Sequence, residues 1–382
     1  MIYLDHHAST PLAPEVIAVM GKAMQELFGN PGSVHAPGRA ARAAVDQARR
    51  RVAALINSRE REIVFTSGGT EASNLALRGA WRARRAGRNR IITSSVEHPA
   101  VLSACHALEA DGAELVLVPV LPGGELDQNA FSDALDETVA VVSIMHANNE
   151  TGVIFPVEEL AKQARRCGAW MHVDAVQTGG RLPLDVNRLG VDLLSLSSHK
   201  IRGPKGAGAL FVSREIDLQP ITFGGKQEAG LRAGTENTLS IVGFGRAAEL
   251  AREGLSSEPQ RLAALRDGFE AQLLESLAGL RVHGALQERL PSVTNLGFDG
   301  IEGEAALLML DMAGVCASSG SACASGSLEP SHVLLAMGYS AEQAHGSIRF
   351  SFGHGTRAEQ LERVVELLIE KVPQLRALML TI

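Results

Sequence analysis

The stretch REIVFTSGGTEASNLALRGAW, residues 61–81, joins a short apolar run to an amphipathic run through a turn of small residues. The first run is typical of a buried strand, the second of a helix, and the two glycines of a turn between them. The same order recurs in RIITSS (90–95) followed by PAVLSACHALEADG (99–112), and again further along the first half. This alternation predicts an α/β protein with a mostly parallel sheet that is covered by helices on both faces.

The pattern of apolar and polar residues changes after the glycine-rich connection ITFGGKQEAGLRAGTEN, residues 221–237. Long amphipathic runs such as PQRLAALRDGFEAQLLESL (259–277) then surround fewer apolar runs of strand length. We therefore predict a large domain over residues 13–255. A smaller α+β domain would comprise residues 1–12 and 256–382.

Composition excludes several classes of protein. The 382 residues carry a net charge of −7 without a block of basic residues, which argues against a nucleic-acid partner. The start has no basic region followed by an apolar one, and no apolar run has the length of a membrane span. Four cysteines form no metal-binding pattern, so we expect no metal site, reduced thiols and a cytoplasmic protein.

Two elements suit parts of a ligand, one a phosphate and the other a protonated heterocycle, although each has a plainer interpretation. In FTSGGTEASN the first turn of a helix follows a strand, and its free N–H groups favour a phosphate; an ordinary turn is the alternative. In WMHVDAVQ, Asp174 lies on a predicted buried strand and needs a partner. That partner is an arginine or a helix end, or else a protonated heterocycle at the carboxyl end of the strand.

A third element, LLSLSSHKIRGPKG (193–206), runs from an apolar strand into serines, a histidine and Lys200. A lysine at the end of a buried strand, next to phosphate-binding groups, is typical of a lysine that forms a Schiff base. Lys205 is the weaker candidate because GPKG indicates an exposed loop. A phosphate turn, a buried aspartate and this lysine together meet the needs of pyridoxal phosphate.

The chain resembles the NifS/IscS-type cysteine desulfurases, which are class V aminotransferases of fold type I. The resemblance runs nearly from end to end and is carried by the following motifs: YLDHHASTPL, FGNPGSVH, FTSGGTEASN, VEHPAVL, MHANNETGVIFP, HVDAVQ, SSHKIRGPKG, RAGTEN, SSGSACASGSLEPSHVL and SIRFSFG. The long cysteine-containing loop places it in the long-loop branch of the family.

The resemblance implies a role for each of several residues. Lys200 would hold pyridoxal phosphate covalently and later move protons, and His98 would stack on its ring and assist acid–base steps. Asp174 would pair with the ring nitrogen, and Gln177 would bond the phenolic oxygen. The phosphate would be bound by these residues: Gly69, Thr70, Ser197, Ser198 and His199, with Thr235 reaching the phosphate of the neighbouring subunit of a homodimer.

The resemblance also implies a substrate site and a nucleophile. Asn149 would lie beside the ring and the substrate, and Arg349 would bind the carboxylate of L-cysteine. Cys323 lies in SSGSACASGSLEP (318–330), where the residues alone also suit a linker with an incidental cysteine. As a catalytic thiolate, Cys323 would take the sulfur of L-cysteine and pass it to an acceptor.

Cys316 is expected to be buried, and Cys105 and Cys167 to be inert. The segment before RAGTEN carries Lys226 and Ala229, where the family commonly has histidine and arginine.

The acceptor would be an iron–sulfur scaffold protein or another carrier, for cluster assembly, for tRNA thiolation or for both. Cys323 could also lend a ligand to a cluster held by such a scaffold. One alternative is a selenocysteine lyase or a related lyase that depends on pyridoxal phosphate. Another is a non-catalytic sulfur or iron–sulfur carrier, although no further cysteines lie near Cys323 to complete a cluster site.

Overall fold

The structure, a computed structural model, describes residues 1–319 and 329–379. Its strands are β1 (Ile2–Tyr3), β2 (Ile63–Thr66), β3 (Arg90–Ser94), β4 (Glu114–Val118), β5 (Val139–Met145), β6 (Trp170–Asp174), β7 (Leu193–Ser197), β8 (Gly208–Val212), β9 (Leu280–Val282), β10 (Val293–Phe298), β11 (Val315–Cys316) and β12 (Ser347–Ser351). Its α-helices are α1 (Pro14–Glu26), α2 (Ala36–Leu55), α3 (Gly69–Arg84), α4 (Pro99–Ala110), α5 (Gln128–Ala134), α6 (Val157–Arg166), α7 (Val186–Leu189), α8 (Thr238–Gly254), α9 (Glu258–Ser276), α10 (Gly303–Met312), α11 (His332–Ala336), α12 (Ala341–His345) and α13 (Ala358–Met379).

Strands β2 to β8 form one sheet in the order β2-β8-β7-β6-β5-β3-β4. Strands β7, β6, β5, β3 and β4 are parallel, whereas β8 is antiparallel to both β7 and β2. Strand β2 therefore runs in the same direction as β7. The carboxyl ends of β2, β6 and β7 consequently lie at one edge of the sheet.

Both faces of this sheet are covered by helices. Successive residues of a strand point to opposite faces, and here Ile91 and Leu193 pack in one apolar cluster while Ile92 and Leu194 pack in another. The first cluster includes residues of α3 and α4, and the second includes residues of α2, α6 and α8. The continuous apolar character of the strands follows from this burial on both sides.

A smaller antiparallel sheet has the order β12-β10-β9 and packs against α9 and α13. The N-terminal residues Ile2 and Leu4 belong to the same apolar cluster, and β1 pairs in parallel with β11. The division at residue 255 remains a prediction.

The predicted fold class is confirmed: the mixed α/β chain has a mostly parallel central sheet between helices. Within residues 1–319 and 329–379, no helix is long and apolar enough to cross a membrane.

Candidate active site

The turn at Gly68 and Gly69, which is predicted to bind a phosphate, lies at the carboxyl edge of the large sheet. It is next to β6, the strand that carries Asp174. A Cβ atom added at Gly69 would lie 2.7 Å from Cγ2 of Val176 and 3.6 Å from Cβ of Ser197. At Gly208 an added Cβ would come within 2.5 Å of the backbone of Gly68. Glycine at both positions therefore allows the first turn of α3 to approach the ends of β6 and β7 closely.

Asp174 is the last residue of β6 and is buried. One of its carboxylate oxygens, Oδ1, accepts a hydrogen bond of 2.9 Å from the N–H group of Val176. Burial raises the pKa of Asp174 to about 6, against the opposing effects of that hydrogen bond and of the nearby charge of Lys200. A cationic ring nitrogen beside the carboxyl group would favour its ionised form.

Lys200 ends the short 3₁₀ turn Ser198–Lys200 that follows β7. Its ammonium group donates hydrogen bonds to the carbonyl oxygen of His7 and, at 3.0 Å, to that of Ala8. Lys205 is exposed in the next turn. The structure thus directs Lys200, and not Lys205, into the half-buried space at the end of the sheet.

His98 caps the N-terminus of α4 and is electrostatically coupled to Lys200. Its Nδ1 accepts a hydrogen bond of 3.1 Å from the N–H group of Ala100, so the proton of the neutral ring is on Nε2. Burial, together with the charges of Lys200, His332 and Arg349, lowers the pKa of His98 to about 4. The ring is therefore neutral near pH 7, as a ring that stacks on a heterocycle and exchanges protons requires.

The serine–histidine run after β7 faces the N-terminal segment. Nδ1 of His199 lies 3.3 Å from the hydroxyl of Ser9, and burial and the charge of Lys200 lower the pKa of His199 to about 4. The hydroxyl of Ser198 is buried without a hydrogen-bond partner in the described ranges, and Ser197 pairs in register with Gly208.

Asn149 and Arg349 are in direct contact. Arg349 is buried in β12, and its Nη1 donates to the carbonyl oxygen of Asn149 at 3.0 Å. Its Nη2 forms an ion pair with Asp5 at 3.0 Å, whereas its Nε has no hydrogen-bond partner among the described residues. The amide oxygen of Asn149 is also buried, and no residue within 1–319 or 329–379 forms a hydrogen bond with it. Unpaired buried polar atoms are costly, so these two are suited to a polar ligand.

Three of the other predicted residues are exposed or lie outside the described residues. Thr70, next to Gly69 in the first turn of α3, and Thr235 are both exposed. Cys323 lies outside the described residues. Cys316 is half-buried rather than fully buried, because its two-residue strand β11 pairs only with β1 in the described structure.

The remaining thiols differ in their surroundings. Burial raises the pKa of the Cys105 thiol to about 12. Cys167 donates from Sγ to the carbonyl oxygen of Ala164 at 3.1 Å. The thiol of Cys105 is therefore protonated at neutral pH, and a protonated thiol is a poor nucleophile.

The backbone of the N-terminal segment lines the site, a role that was not predicted for it. The carbonyl oxygen of His7 accepts from both Lys200 and the Gln177 amide, the latter at 3.1 Å. Because every residue has a carbonyl group, side-chain chemistry gives no signal for this role. The only clue is the polar run DHHAST between Leu4 and Pro11.

Two side chains were also missed. Glu97 is buried next to His98, and burial raises its pKa to about 8. Arg181 contacts Gln177 and the backbone of Lys200. Glu97 lies within the motif VEHPAVL but was given no role, and the contacts of both residues with distant segments, at Met145 for Glu97 and at His6 and Lys200 for Arg181, are not visible in the sequence.

The residues at this edge fit pyridoxal phosphate. The close approach at Gly69 leaves the first N–H groups of α3 facing the ends of β6 and β7, where an anion binds well. A buried aspartate, a neutral histidine and a lysine lie around the same space, and two buried polar atoms there lack partners. When bound, this cofactor withdraws electrons from the substrate carbon atoms attached to it.

Fold and site together define an enzyme of the fold type I class that depends on pyridoxal phosphate. The family model of the class-V aminotransferases matches residues 2–364, and the chain belongs to this family. The predictions of family and cofactor are thereby confirmed.

Several relatives match nearly the whole chain. A cysteine desulfurase of Cereibacter sphaeroides is 48% identical over 379 residues, which cover 99% of this chain and 97% of that protein. The cysteine desulfurase IscS of Dictyoglomus turgidum is 45% identical over 377 residues, with 99% and 96% covered.

Two solved structures are similar as well. A NifS-like protein has a TM-score of 0.92 at 33% identity, covering 98% of this chain and all of that chain. SspA in complex with cysteine has a TM-score of 0.82 at 34% identity, covering 92% and 99%.

Proposed function

We propose that this protein is a cysteine desulfurase, which converts L-cysteine into L-alanine and retains the sulfur as a persulfide on Cys323. The observation that carries the proposal is the contact between Arg349 and Asn149 beside Lys200, in a chain whose relatives of 45–48% identity are cysteine desulfurases. A buried guanidinium with a free Nε is suited to an amino-acid carboxylate.

The chain's own residues support each requirement of this reaction. Arg349 orients the carboxylate, and the neutral ring of His98 can accept or release a proton at Nε2. Lys200, coupled to both His98 and Asp174, can carry a proton to the substrate carbon. The thiolate of Cys323 attacks the sulfur of the substrate.

The reaction balances without an external oxidant. The bond between Cβ and sulfur of the substrate breaks, and its electron pair stays with carbon, which is then protonated to give alanine. A sulfur–sulfur bond forms on Cys323, and one thiol proton remains on the persulfide or is lost to solvent. The carbon is reduced and the two sulfur atoms are oxidised in equal measure.

The test is a comparison of Cys323→Ala with Cys316→Ala. Cys323→Ala should bind pyridoxal phosphate and change its visible spectrum when L-cysteine is added, yet alanine production should fall by orders of magnitude. The half-buried Cys316 serves as the matched control and should retain turnover. After a turnover without reductant, mass spectrometry should find one added sulfur atom on the peptide that contains Cys323.

Near-native alanine production by Cys323→Ala would contradict the persulfide step. A faster turnover of selenocysteine than of cysteine in that variant would favour the selenocysteine-lyase alternative.

We infer further that the enzyme is a homodimer. Four large apolar side chains on α1 and the segment after it are exposed, with exposed fractions of 56% to 88%: Ile17, Met24, Phe28 and Val34. Exposed apolar groups of this size on one stretch are typical of a protein interface. Thr235 is exposed too, so its hydroxyl could contact the phosphate that is bound by the second copy.

The persulfide would be passed to an iron–sulfur scaffold or another sulfur acceptor. This part of the proposal rests on IscS as the name of a relative that is 45% identical. A reducing compartment such as the cytoplasm suits an enzyme whose thiol must be a thiolate, and the described cysteines are free. Transfer of labelled sulfur from the enzyme to a purified scaffold would test it.

A further inference from the structure

Arg181 lies four residues after Gln177, in the turns that follow β6. Its guanidinium is surrounded by carbonyl oxygens from three separate parts of the chain. Nη1 donates to the main-chain oxygen of Gln177 at 2.8 Å and to its side-chain Oε1 at 2.9 Å. Nη2 donates to the carbonyl oxygens of His6 and Lys200, both at 3.2 Å.

These bonds fix the amide group of Gln177 in one orientation. A guanidinium offers only donors, so the amide must turn its oxygen towards Arg181 and its NH₂ group away from it. The NH₂ group then donates to the carbonyl oxygen of His7 at 3.1 Å, and that same oxygen accepts from the ammonium group of Lys200. The second N–H of the amide remains as the group that Gln177 can offer to a ligand.

The same guanidinium fixes the main chain at Lys200. It joins the N-terminal segment at His6, the turns after β6 and the 3₁₀ turn after β7. A single lysine ammonium is a compact donor and cannot replace this planar fork. Burial and the charge of Arg349 lower the pKa of Arg181 to about 10, so the group remains charged near neutral pH.

We propose that Arg181 is a positioning residue: it holds the amide of Gln177 as a donor towards the phenolic oxygen of pyridoxal phosphate and fixes the backbone of Lys200. The proposal rests on the role that the proposed function gives to Gln177. Loss of Arg181 should free the amide to rotate, so that its oxygen faces the phenolic oxygen for part of the time. That arrangement is repulsive when the phenolic oxygen is ionised.

The experiment is a double-mutant cycle on the holoenzyme with Arg181→Met and Gln177→Met. The first readout is a pH titration of the visible absorption of the bound cofactor. Its midpoint is the pH at which the change in absorption is half complete. The second is the dissociation constant of pyridoxal phosphate, measured with the apoprotein. Each single variant should move the midpoint in the same direction by about one pH unit, which corresponds to one neutral hydrogen bond. Each should also weaken cofactor binding by roughly tenfold.

The double variant should show little shift beyond that of Gln177→Met, because residues that act through one contact are not additive. Arg181→Lys should restore part of the midpoint, since it keeps the charge and N–H donors but not the planar fork. It also keeps the test usable if Arg181→Met does not fold.

The matched control is Arg88→Met: Arg88 donates to the carbonyl oxygens of Val139 and Cys167 at 3.1 and 2.7 Å. Val139 begins β5, at the opposite edge of the sheet. This variant should lower the melting temperature without a shift of the midpoint.

Three results would overturn the inference. In the first, Arg181→Met leaves the midpoint unchanged while Gln177→Met shifts it. In the second, the two shifts add fully, so that Arg181 acts independently of Gln177. In the third, Gln177→Met has no effect, which removes the role of Gln177 itself. The activity of the Cys323 variants distinguishes that last case from a failure of the desulfurase proposal.

Discussion

Replacing Glu97 with glutamine should change how the stability of the protein depends on pH. Glu97 is fully buried between the ends of β3 and β5, where Oε1 accepts from the hydroxyl of Ser94 at 2.7 Å and from the N–H group of Met145 at 2.8 Å. Oε2 has no partner. Burial, reinforced by the nearby charge of Asp174, raises the pKa from 4.5 to about 8, so the folded protein holds a neutral acid at pH 7.

The sign of the effect follows from proton binding. At pH values below the pKa of Glu97 in the unfolded chain, this group is protonated in both the folded and the unfolded state. Its contribution to the free energy of unfolding is then fully present. Between the unfolded and the folded pKa the native state holds a proton that the unfolded state has lost, so stability falls as pH rises. A shift from 4.5 to about 8 corresponds to a total loss of roughly 5 kcal/mol. Of this, roughly 3–4 kcal/mol falls between about pH 5 and about pH 8.

Glu97→Gln keeps a neutral group of the same shape and has no proton to lose. The free energy of unfolding of the variant, relative to the wild type, should therefore increase by that roughly 3–4 kcal/mol between about pH 5 and about pH 8. Urea unfolding of the two apoproteins, followed by circular dichroism, measures it. Glu304→Gln, which alters an exposed carboxylate, is the matched control. Parallel curves for Glu97→Gln and wild type would refute the reasoning, because Glu97 would then be ionised in the folded protein.

Two other predictions concern the cofactor and the dimer. Borohydride reduction of the holoenzyme should attach the cofactor to Lys200, as shown by peptide mass spectrometry; a label on Lys205 would contradict the assignment. Light scattering should give twice the mass of one chain, Phe28→Asp should reduce it, and Thr235→Ala should weaken cofactor binding while the dimer persists. A fully active monomer would exclude a shared site.

The alternation of strands and helices could be predicted because burial on both faces leaves continuous apolar runs. The direction of β8 was not predicted. Only residues 198–207 separate it from β7, and so short a connection suits an antiparallel pair rather than a parallel crossover. The position of β2 beside β8 depends on a pairing between residues about 145 positions apart, for example Phe65 with Ala209. Local patterns carry no information on such a pairing.

The candidate site likewise contains some residues that could be predicted from the sequence and others that could not. Lys200 and Asp174 could be proposed from the sequence because each is an ionisable group at the end of an apolar strand. Arg181 could not, since its significance comes from bonds to His6 and Lys200 that only the folded chain brings together. The same holds for the carbonyl oxygen of His7, which is a main-chain atom.

The electrostatics of the site indicate why it selects anionic ligands. The cationic groups of Lys200, Arg181 and Arg349 act on the same histidine: burial and these three charges lower the pKa of His7 well below its usual value. The nearby acids offset only part of this charge: Asp5 forms an ion pair with Arg349 and Asp174, with a pKa of about 6, is mostly ionised at pH 7, whereas burial raises the pKa of Glu150 to about 7. A phosphate and a carboxylate would supply the missing negative charge. A protonated ring nitrogen beside Asp174 would in turn lower the pKa of that carboxyl group, so that cofactor binding and ionisation of Asp174 favour each other.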